Sequence, residues 1–149
     1  MEQYLINRKN LTVVTNNIAL AANLSSYGIR VICLGGEVVE SPSMLYGPES
    51  VENAARYRVD KMFFSTSAVS SDGMIASGVY DLMLKEIAKH ARRVFYLVDH
   101  QKVDADFSVA FGDFNAVDCV ISNHDFGENV KARYRQTEFV LAEKGKEKE

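Results

Sequence analysis

The stretch GVYDLMLKEIAKHARRVFYLVDHQK, residues 78–102, decides the fold. Its first half repeats apolar side chains with the period of one helix face, at Val79, Leu82, Met83, Ile87 and Ala91. Its second half contains VFYLV, residues 94–98, a continuous apolar run of the kind found in strands covered on both faces. The stretch therefore predicts a helix, a very short turn and a buried strand.

The rest of the chain continues this alternation. Further strands are predicted at residues 11–15, 29–34, 61–66, 107–112, 118–122 and 138–142, and further helices between Asn17 and Gly28, at 49–58 and at 125–135. Residues 37–47 predict a hairpin or arm around Ser41-Pro42, and residues 67–78 predict a polar loop with a turn at Asp72-Gly73. Alternating strands and helices predict an α/β fold with a doubly wound, mostly parallel sheet, a Rossmann-like three-layer α/β/α arrangement.

Length and composition suit one globular domain of 149 residues. We expect a short lead-in at 1–10, the domain at 11–143 and a disordered charged tail at 144–149. A net charge of −3 makes the domain a poor electrostatic match for nucleic acid. Cys33 and Cys119 lie in apolar runs without CxxC spacing, which predicts reduced core thiols. The sequence has neither a membrane-length apolar run nor a signal peptide, so we expect a cytoplasmic location and no membrane partner.

The carboxyl ends of the predicted strands carry the candidate site, because open α/β sheets bind ligands there. These ends bear hydroxyls, amides, glycines, carboxylates and lysines, including Thr15-Asn16, Gly35-Gly36, residues 65–73 and residues 99–102. Hydroxyls and amides bind sugar hydroxyl groups, and lysines and helix N-termini bind phosphate. The residues thus favour a polyhydroxylated, anionic small molecule.

Each part of this candidate site also has a structural interpretation. Asp81 and Lys85, four residues apart, can be a surface ion pair, and both Gly35-Gly36 and Asp72-Gly73 can be simple turns. The three histidines lack metal-ligand spacing, and neither a nucleophile elbow, a G-x-G-x-x-G motif nor a P-loop occurs. We therefore predict no metal, no cofactor and no hydrolase activity.

The order of motifs resembles the C-terminal effector-sensing domain of DeoR-family transcriptional repressors over roughly residues 11–123. The resemblance is carried by LTVVTNN, VICLGGEV, LYGPES, DKMFFSTSAVSSDGMIAS, the run from residue 80 to residue 102, and DCVIS. It implies a fold similar to ribose-5-phosphate isomerase and glucosamine-6-phosphate deaminase. It also implies a domain that senses a phosphorylated sugar, forms a homo-oligomer and releases a winged helix-turn-helix from DNA.

The resemblance points to most of the residues found at the strand ends. Together with Ser67, the predicted ligand-binding residues are Asn16, Gly35, Gly36, Asp72, Gly73, Asp81, Lys85, Asp99 and Lys102. Lys85 and Lys102 would bind phosphate or carboxylate charge, and Asp81 and Asp99 would bind sugar hydroxyls or orient the lysines.

Two further functions stay open at this point. One is a sugar-phosphate isomerase or deaminase on the same fold, with a carboxylate at the strand ends as general base. The other is an assembly domain without ligand binding, in which residues 37–47 and 107–112 bury apolar surface in a neighbouring subunit.

The chain departs from the family pattern in three ways. The family's helix-turn-helix, and the strand and Gly-Thr-Thr loop expected before LTVVT, do not occur in it. We therefore expect a fragment or a shortened relative that binds sugar phosphate poorly. Ser65 and Ala68 stand where the family tends to have glycine, which reduces the room for close backbone approach.

Overall fold

The computed structural model describes residues 2–38, 43–78 and 81–142. The chain forms two compact units, Met1–Tyr57 and Arg58–Glu149. Ser41-Pro42, Val79 and the predicted tail at 144–149 lie outside the described residues. The predicted domain bounds of 11–143 stay a prediction.

The first unit contains a parallel strand pair, a short hairpin and two helices. Its elements are a 3-10 turn at Glu2–Tyr4, β1 (Thr12–Thr15), α1 (Ile18–Ser26), β2 (Arg30–Cys33), β3 (Glu37–Val38), β4 (Leu45–Tyr46) and α2 (Pro48–Ala54). Strands β1 and β2 pair in parallel, and β3 and β4 pair antiparallel as the predicted hairpin. The Asn17 side chain caps α1 by accepting a hydrogen bond from the Leu20 N–H at 2.8 Å.

The second unit is built on a four-stranded parallel sheet with the strand order β10-β9-β7-β5. Its elements are β5 (Val59–Phe64), β6 (Met74–Ala76), α3 (Asp81–Lys89), β7 (Ala91–Val98), 3-10 turns at His100–Lys102 and Phe114–Ala116, β8 (Ala110–Asp113), β9 (Cys119–Ser122), α4 (Gly127–Arg133) and β10 (Glu138–Leu141). Helices flank this sheet, and the predicted α/β, Rossmann-like three-layer α/β/α class is confirmed.

An aromatic cluster fills the core of the second unit. Phe114 is fully buried, and its ring makes edge-on contacts with Phe126, Tyr134 and Phe139 at centroid distances of 5.0, 5.4 and 5.6 Å. It also lies 6.3 Å from the ring of Tyr96 on β7. Burying large aromatic side chains is the main stabilising contribution of such a cluster.

Helix α3 confirms Met83 and Ile87 of the predicted apolar face and corrects two members, because Leu82 is exposed and Ala91 lies beyond the helix in β7. Met83 is buried, and Leu84, Ile87 and Ala88 pack against the core cluster. Leu82 was predicted on this face but is 64% exposed. Since successive helical residues turn by about 100°, a face centred between Met83 and Ile87 places Leu82 on the opposite side.

Several other predicted elements are shifted. Strand β7 begins at Ala91, because its first residues pair with β5 in the register Val59↔Ala91. The strand predicted at 107–112 is β8 at Ala110–Asp113, and its antiparallel partner β6 lies inside the predicted loop at 67–78. A strand of three residues is too short for an alternating pattern to reveal it.

The two cysteines behave differently. Cys119 is a free, buried thiol, as predicted. Cys33 was predicted to be a core thiol but is exposed, and it is also free. Neighbouring side chains of an extended chain point to opposite faces, so the buried Leu34 leaves Cys33 on the outer face.

Candidate functional site

Lys102 lies at the carboxyl end of β7 on a backbone that is held from two sides. Its N–H donates to the Asp99 carbonyl at 2.9 Å, and its own carbonyl accepts the Val69 N–H at 3.0 Å. Its Nζ donates to Ser65 Oγ at 2.9 Å. The ammonium therefore reaches from the end of β7 to the end of β5, where parallel strands place their ligands.

Lys102 forms no ion pair with a carboxylate among the described residues, although its charge acts at longer range on Asp99. The ion pairs of the second unit involve other cations, such as Arg93 with Glu138 at 2.8 Å and Lys131 with Asp125 at 2.9 Å. Ser65 is a neutral partner, so the positive charge of the half-buried Lys102 is not compensated by an ion pair. Such a cation beside hydroxyls suits an anionic ligand.

Asp99 holds the turn that carries Lys102. Its carboxylate accepts the Gln101 N–H at 2.9 Å and the Asn123 amide at 3.3 Å, and it lies 3.2 Å from His100 Nδ1. The Gln101 N–H, helped by His100, Asn123 and Lys102, lowers the pKa of Asp99 below its ordinary value. Asp99 is therefore an ionised structural acceptor rather than a strong base.

An open groove of about 550 Å³ lies beside this strand end. It is lined by Ser67, Ser77, Gly78, Asp106, Phe107, Ser108 and Val109. Ser67 follows Ser65, the partner of Lys102, by two residues, so the cation and the groove share one loop. The walls of the groove are joined by the Ser77 N–H, which donates to the Val109 carbonyl at 2.7 Å.

The polar side chains in this groove fall into two groups. Ser77 donates its hydroxyl to the carboxylate of Asp81. The side chains of Ser67, Asp106 and Ser108 form no hydrogen bond or ion pair with any residue that the structure describes. Hydroxyl and carboxylate groups without partners that line one groove can bind ligand hydroxyls.

Asp81 and Lys85, predicted as a pair, are separate in the structure. The Asp81 carboxylate accepts hydrogen bonds from the Ser77 hydroxyl and, at 2.8 Å, from the Gly78 N–H at the start of α3. Lys85 Nζ lies 5.0 Å from the centroid of the Phe111 ring. The two side chains form no ion pair with one another, so Asp81 borders the groove while Lys85 contacts an aromatic ring.

The buried Tyr96 on β7 contacts the loop that follows β5, and the sequence analysis did not predict this role. Its hydroxyl lies 2.7 Å from Thr66 Oγ1, which also donates to the Ala68 carbonyl at 2.9 Å. Tyr96 stands inside the apolar run VFYLV, where a phenol is indistinguishable from an ordinary core ring. The one signal in the sequence was that a buried tyrosine hydroxyl requires a hydrogen-bond partner nearby.

Asp72 and Gly73 form a turn that packs against Phe114 and Tyr134. The Gly73 carbonyl accepts the Phe114 N–H at 3.1 Å, and the Phe114 carbonyl accepts the Thr137 hydroxyl at 2.8 Å, just before β10 begins. The turn is therefore tied to residues that precede β9 and β10, while the adjacent Ser71 N–H donates to Asp104 Oδ1 at 2.7 Å in the segment after Lys102. Ligand binding by Asp72 and Gly73 stays a prediction. Gly73 has φ +100, and an added Cβ would lie 2.6 Å from the Tyr134 ring. Its requirement for glycine is a packing requirement.

Asn16, Gly35 and Gly36 connect elements of the first unit. Asn16 exchanges hydrogen bonds with the backbone of Leu45, at 2.9 Å through its side chain and 2.8 Å through its carbonyl. The Gly35 carbonyl accepts the hydroxyl of the buried Ser50. Gly36 has φ +124, and a Cβ there would lie 2.6 Å from Ser50 Oγ. These contacts fix the hairpin and the start of α2, and ligand binding by the three residues stays a prediction.

Within residues 2–38, 43–78 and 81–142, no group of three or more His, Cys, Asp or Glu side chains is placed to hold a metal ion. In the same ranges, no helix has the length and apolar character needed to cross a membrane.

The chain is similar in sequence to part of several bacterial repressors. It is 31% identical over 120 residues to the HTH-type transcriptional repressor GlcR of Bacillus subtilis (strain 168), covering 79% of this chain and 46% of that protein. It is 29% identical over 122 residues to the glycerol-3-phosphate regulon repressor of Escherichia coli (strain K12), covering 80% and 48%. It is 25% identical over 130 residues to the lactose phosphotransferase system repressor of Staphylococcus aureus (strain NCTC 8325 / PS 47), covering 85% and 52%.

The chain spans about half the length of these curated relatives. The family model described as the DeoR C terminal sensor domain matches residues 1–124, most of the chain. The strand-end lysine and the hydroxyl-lined groove lie within those residues. This chain belongs to the DeoR C-terminal sensor domain family.

Proposed function

We propose that this chain is the effector-binding domain of a DeoR-type transcriptional regulator of sugar metabolism, and that its effector is a phosphorylated sugar. Family membership and the named repressors of glycerol-3-phosphate and lactose systems support the regulatory role. DNA binding then belongs to a helix-turn-helix segment of the longer repressors, as the name of the Bacillus relative indicates.

The observation that supports a phosphorylated effector is the hydrogen bond of 2.9 Å from Lys102 Nζ to Ser65 Oγ. A phosphate oxygen that joins this pair would meet a full positive charge and a hydroxyl donor together. Charge-assisted hydrogen bonds of this kind are about twice as strong as neutral ones. The groove beside it, with Ser67 and Ser108, supplies partners for sugar hydroxyls.

The carboxylates of Asp99 and Asp81 position other groups of the site and do not act as bases. Asp99 orients Lys102 by capping its turn, and Asp81 orients Ser77 and Gly78 at the groove. A general base for isomerisation would need a pKa near the working pH, whereas the pKa of Asp99 is lowered. The named relatives are repressors, and we assign this chain a regulatory role without catalysis.

We further propose that the domain associates with copies of itself. Val38 and Val109 are 58% and 64% exposed, and each lies in a segment predicted to bury apolar surface in a neighbour. Light scattering after size exclusion tests this directly. A monomer at all concentrations would contradict it, and Val38→Ser and Val109→Ser identify the contact surface.

The decisive experiment is a thermal-shift screen of the chain with phosphorylated sugars and their unphosphorylated counterparts. A ligand that binds only the folded state stabilises it by about 2.7 kcal/mol at a hundredfold excess over Kd. We expect Lys102→Met to weaken binding roughly tenfold or more, because a hydrogen bond to a charged group contributes about 1.5–3 kcal/mol.

Lys61→Met is the matched control, because Lys61 is an exposed lysine on β5 outside the site. A shift that needs the phosphate and Lys102 but not Lys61 supports the proposal. No shift with any phosphorylated sugar, or equal shifts in the wild type and Lys102→Met, would overturn it.

A further inference from the structure

We propose that Asp106 makes the groove selective for the uncharged, hydroxylated end of the effector, so that sugar monophosphates bind and sugar bisphosphates are rejected. This inference rests on the proposed function, because it assumes that the first phosphate meets Lys102. Neither the motifs of the sequence nor the family resemblance singled out Asp106.

Charge is distributed unevenly across the site. Of the described residues that line the groove, Asp106 alone carries a formal charge, and the others are serines, a glycine and two apolar residues. The cation, Lys102, is bonded to Ser65, while Ser67 of the same loop faces the groove. A ligand that reaches from Lys102 into the groove would therefore meet a positive charge at the lysine and a negative charge at Asp106.

A second negative charge strengthens this polarity. The Asp81 carboxylate is bonded to Ser77 and Gly78, which are both lining residues of the groove. The hydrogen bonds from these two residues occupy Asp81, whereas Asp106 has no partner among the described side chains and backbone groups. Asp106 is thus the carboxylate that is free to accept hydrogen bonds from ligand hydroxyls.

The segment that carries Asp106 is fixed on both sides. On one side, the Asp104 N–H donates to the Val69 carbonyl at 2.8 Å, and Asp104 Oδ1 accepts the Ser71 N–H at 2.7 Å. On the other side, the Val109 carbonyl accepts the Ser77 N–H at 2.7 Å. A carboxylate held at a fixed place discriminates by charge better than one on a free loop, because it cannot move away from an unfavourable ligand.

The consequence is a specific preference between related ligands. A hydroxyl at the Asp106 end gains a hydrogen bond to a charged acceptor, and a second phosphate at the same place meets like charge. In a partly solvated groove we expect the monophosphate to bind about tenfold or more tightly than the matching bisphosphate.

Titration calorimetry on the intact chain tests this with three matched pairs. These are glucose 6-phosphate with glucose 1,6-bisphosphate, fructose 6-phosphate with fructose 1,6-bisphosphate, and ribose 5-phosphate with ribose 1,5-bisphosphate. Asp106→Asn keeps the size and one acceptor oxygen, replaces the other oxygen with an NH2 donor and removes the charge, and it should bring the ratio of the two affinities close to one. Asp60→Asn, on an exposed side chain of β5, controls for the change in net charge.

Ser108→Ala separates hydrogen bonding from charge. It should weaken both members of a pair by a similar factor, roughly threefold to tenfold, and leave their ratio unchanged. Asp106 is exposed and has no described partner, so the unliganded Tm of Asp106→Asn should match the wild type.

Failure of this inference is distinguishable from failure of the proposed function. Binding that depends on Lys102, but with a mono- to bisphosphate ratio that Asp106→Asn leaves unchanged, would overturn the role of Asp106 alone. Equal affinities of the wild type for both members of a pair would do the same. No binding of any monophosphate would overturn both.

Discussion

The phenolic hydroxyl of Tyr96 and the hydroxyl of Thr66 lie 2.7 Å apart, and this contact joins β7 to the loop that follows β5. Tyr96 is fully buried, whereas the loop holds the exposed Ser65 and Ser67. This hydrogen bond therefore connects the core of the second unit to its candidate binding loop.

Tyr96→Phe removes that hydrogen bond without changing the volume of the ring. We expect a loss of about 1 kcal/mol in the free energy of unfolding, the usual contribution of one hydrogen bond. Urea denaturation measures it, and Tyr27→Phe, on an exposed ring, is the control. Equal midpoints for Tyr96→Phe and the wild type would show that the contact does not stabilise the loop.

The same phenol predicts a loss of stability in alkaline solution. Burial raises the pKa of Tyr96 above its ordinary value of 10.0, against a smaller opposite effect of Thr66. The folded state thus holds the phenolic proton more tightly than the unfolded state. Its contribution is complete below pH 10 and disappears as the pH rises through the raised pKa. Unfolding curves between pH 8 and 11 should therefore fall more steeply for the wild type than for Tyr96→Phe, and parallel curves would contradict this.

The lowered pKa of Asp99 predicts that the protein loses stability in acid. Its pKa is lowered chiefly by the Gln101 N–H, so its contribution to stability is present above the ordinary value of 3.8 and is lost as the pH falls through the lowered pKa. Asp99→Asn can still accept the hydrogen bond from Gln101 but cannot titrate. Acid unfolding followed by circular dichroism should show a shallower pH dependence in Asp99→Asn, with Asp60→Asn as the charge-matched control. A pH dependence identical to that of the wild type would exclude the role given to Asp99.

Gly73→Ala tests whether the Asp72-Gly73 turn is structural. The substitution combines a left-handed φ of +100 with a Cβ only 2.6 Å from the Tyr134 ring. Gly127→Ala shares the left-handed conformation, with φ +75, but its Cβ would meet nothing within 4 Å. We expect Gly127→Ala to lose about 1 kcal/mol and Gly73→Ala about 2 kcal/mol more, because of the contact.

Ligand affinity of the folded Gly73→Ala protein completes this test. If the turn only shapes the core, a variant that is still folded should bind phosphorylated sugars as the wild type does. A large loss of affinity at unchanged stability would instead return Asp72 and Gly73 to the ligand site.

The main helices and strands could be predicted because buried positions recur in the sequence with the period of a helix or as a continuous apolar run. Met83 and Ile87 showed α3, and the apolar run at 94–98 showed β7. The pattern could not show that β7 starts at Ala91, since Arg92 and Arg93 are polar yet paired within the strand. It also missed β6, whose three residues owe their strand conformation to pairing with β8.

The candidate site was harder to predict than the fold. Lys102 and Ser67 could be placed, because both follow strands that end at the same edge of a parallel sheet. Asp72 and Gly73 also pack against the core through the Tyr134 hydroxyl and the Phe114 N–H, contacts that sequence spacing does not encode, and their ligand binding stays a prediction. Asp106 and Ser108 lie at the groove because Ser77 contacts Val109 in the folded chain, and no local sequence motif indicates this tertiary contact.

The hydrogen bond from the Val69 N–H to the Lys102 carbonyl has a consequence for how this domain would report an effector. Val69 also accepts from the Asp104 N–H, so the loops after β5 and β7 share one backbone ladder beside the cation. An anion that immobilises Lys102 would slow the opening of this ladder. Amide hydrogen exchange at Val69 and Asp104 would then become slower while the average coordinates hardly change. Effector binding would then be reported by less frequent local opening of these hydrogen bonds at the sheet edge, and a large displacement would not be needed.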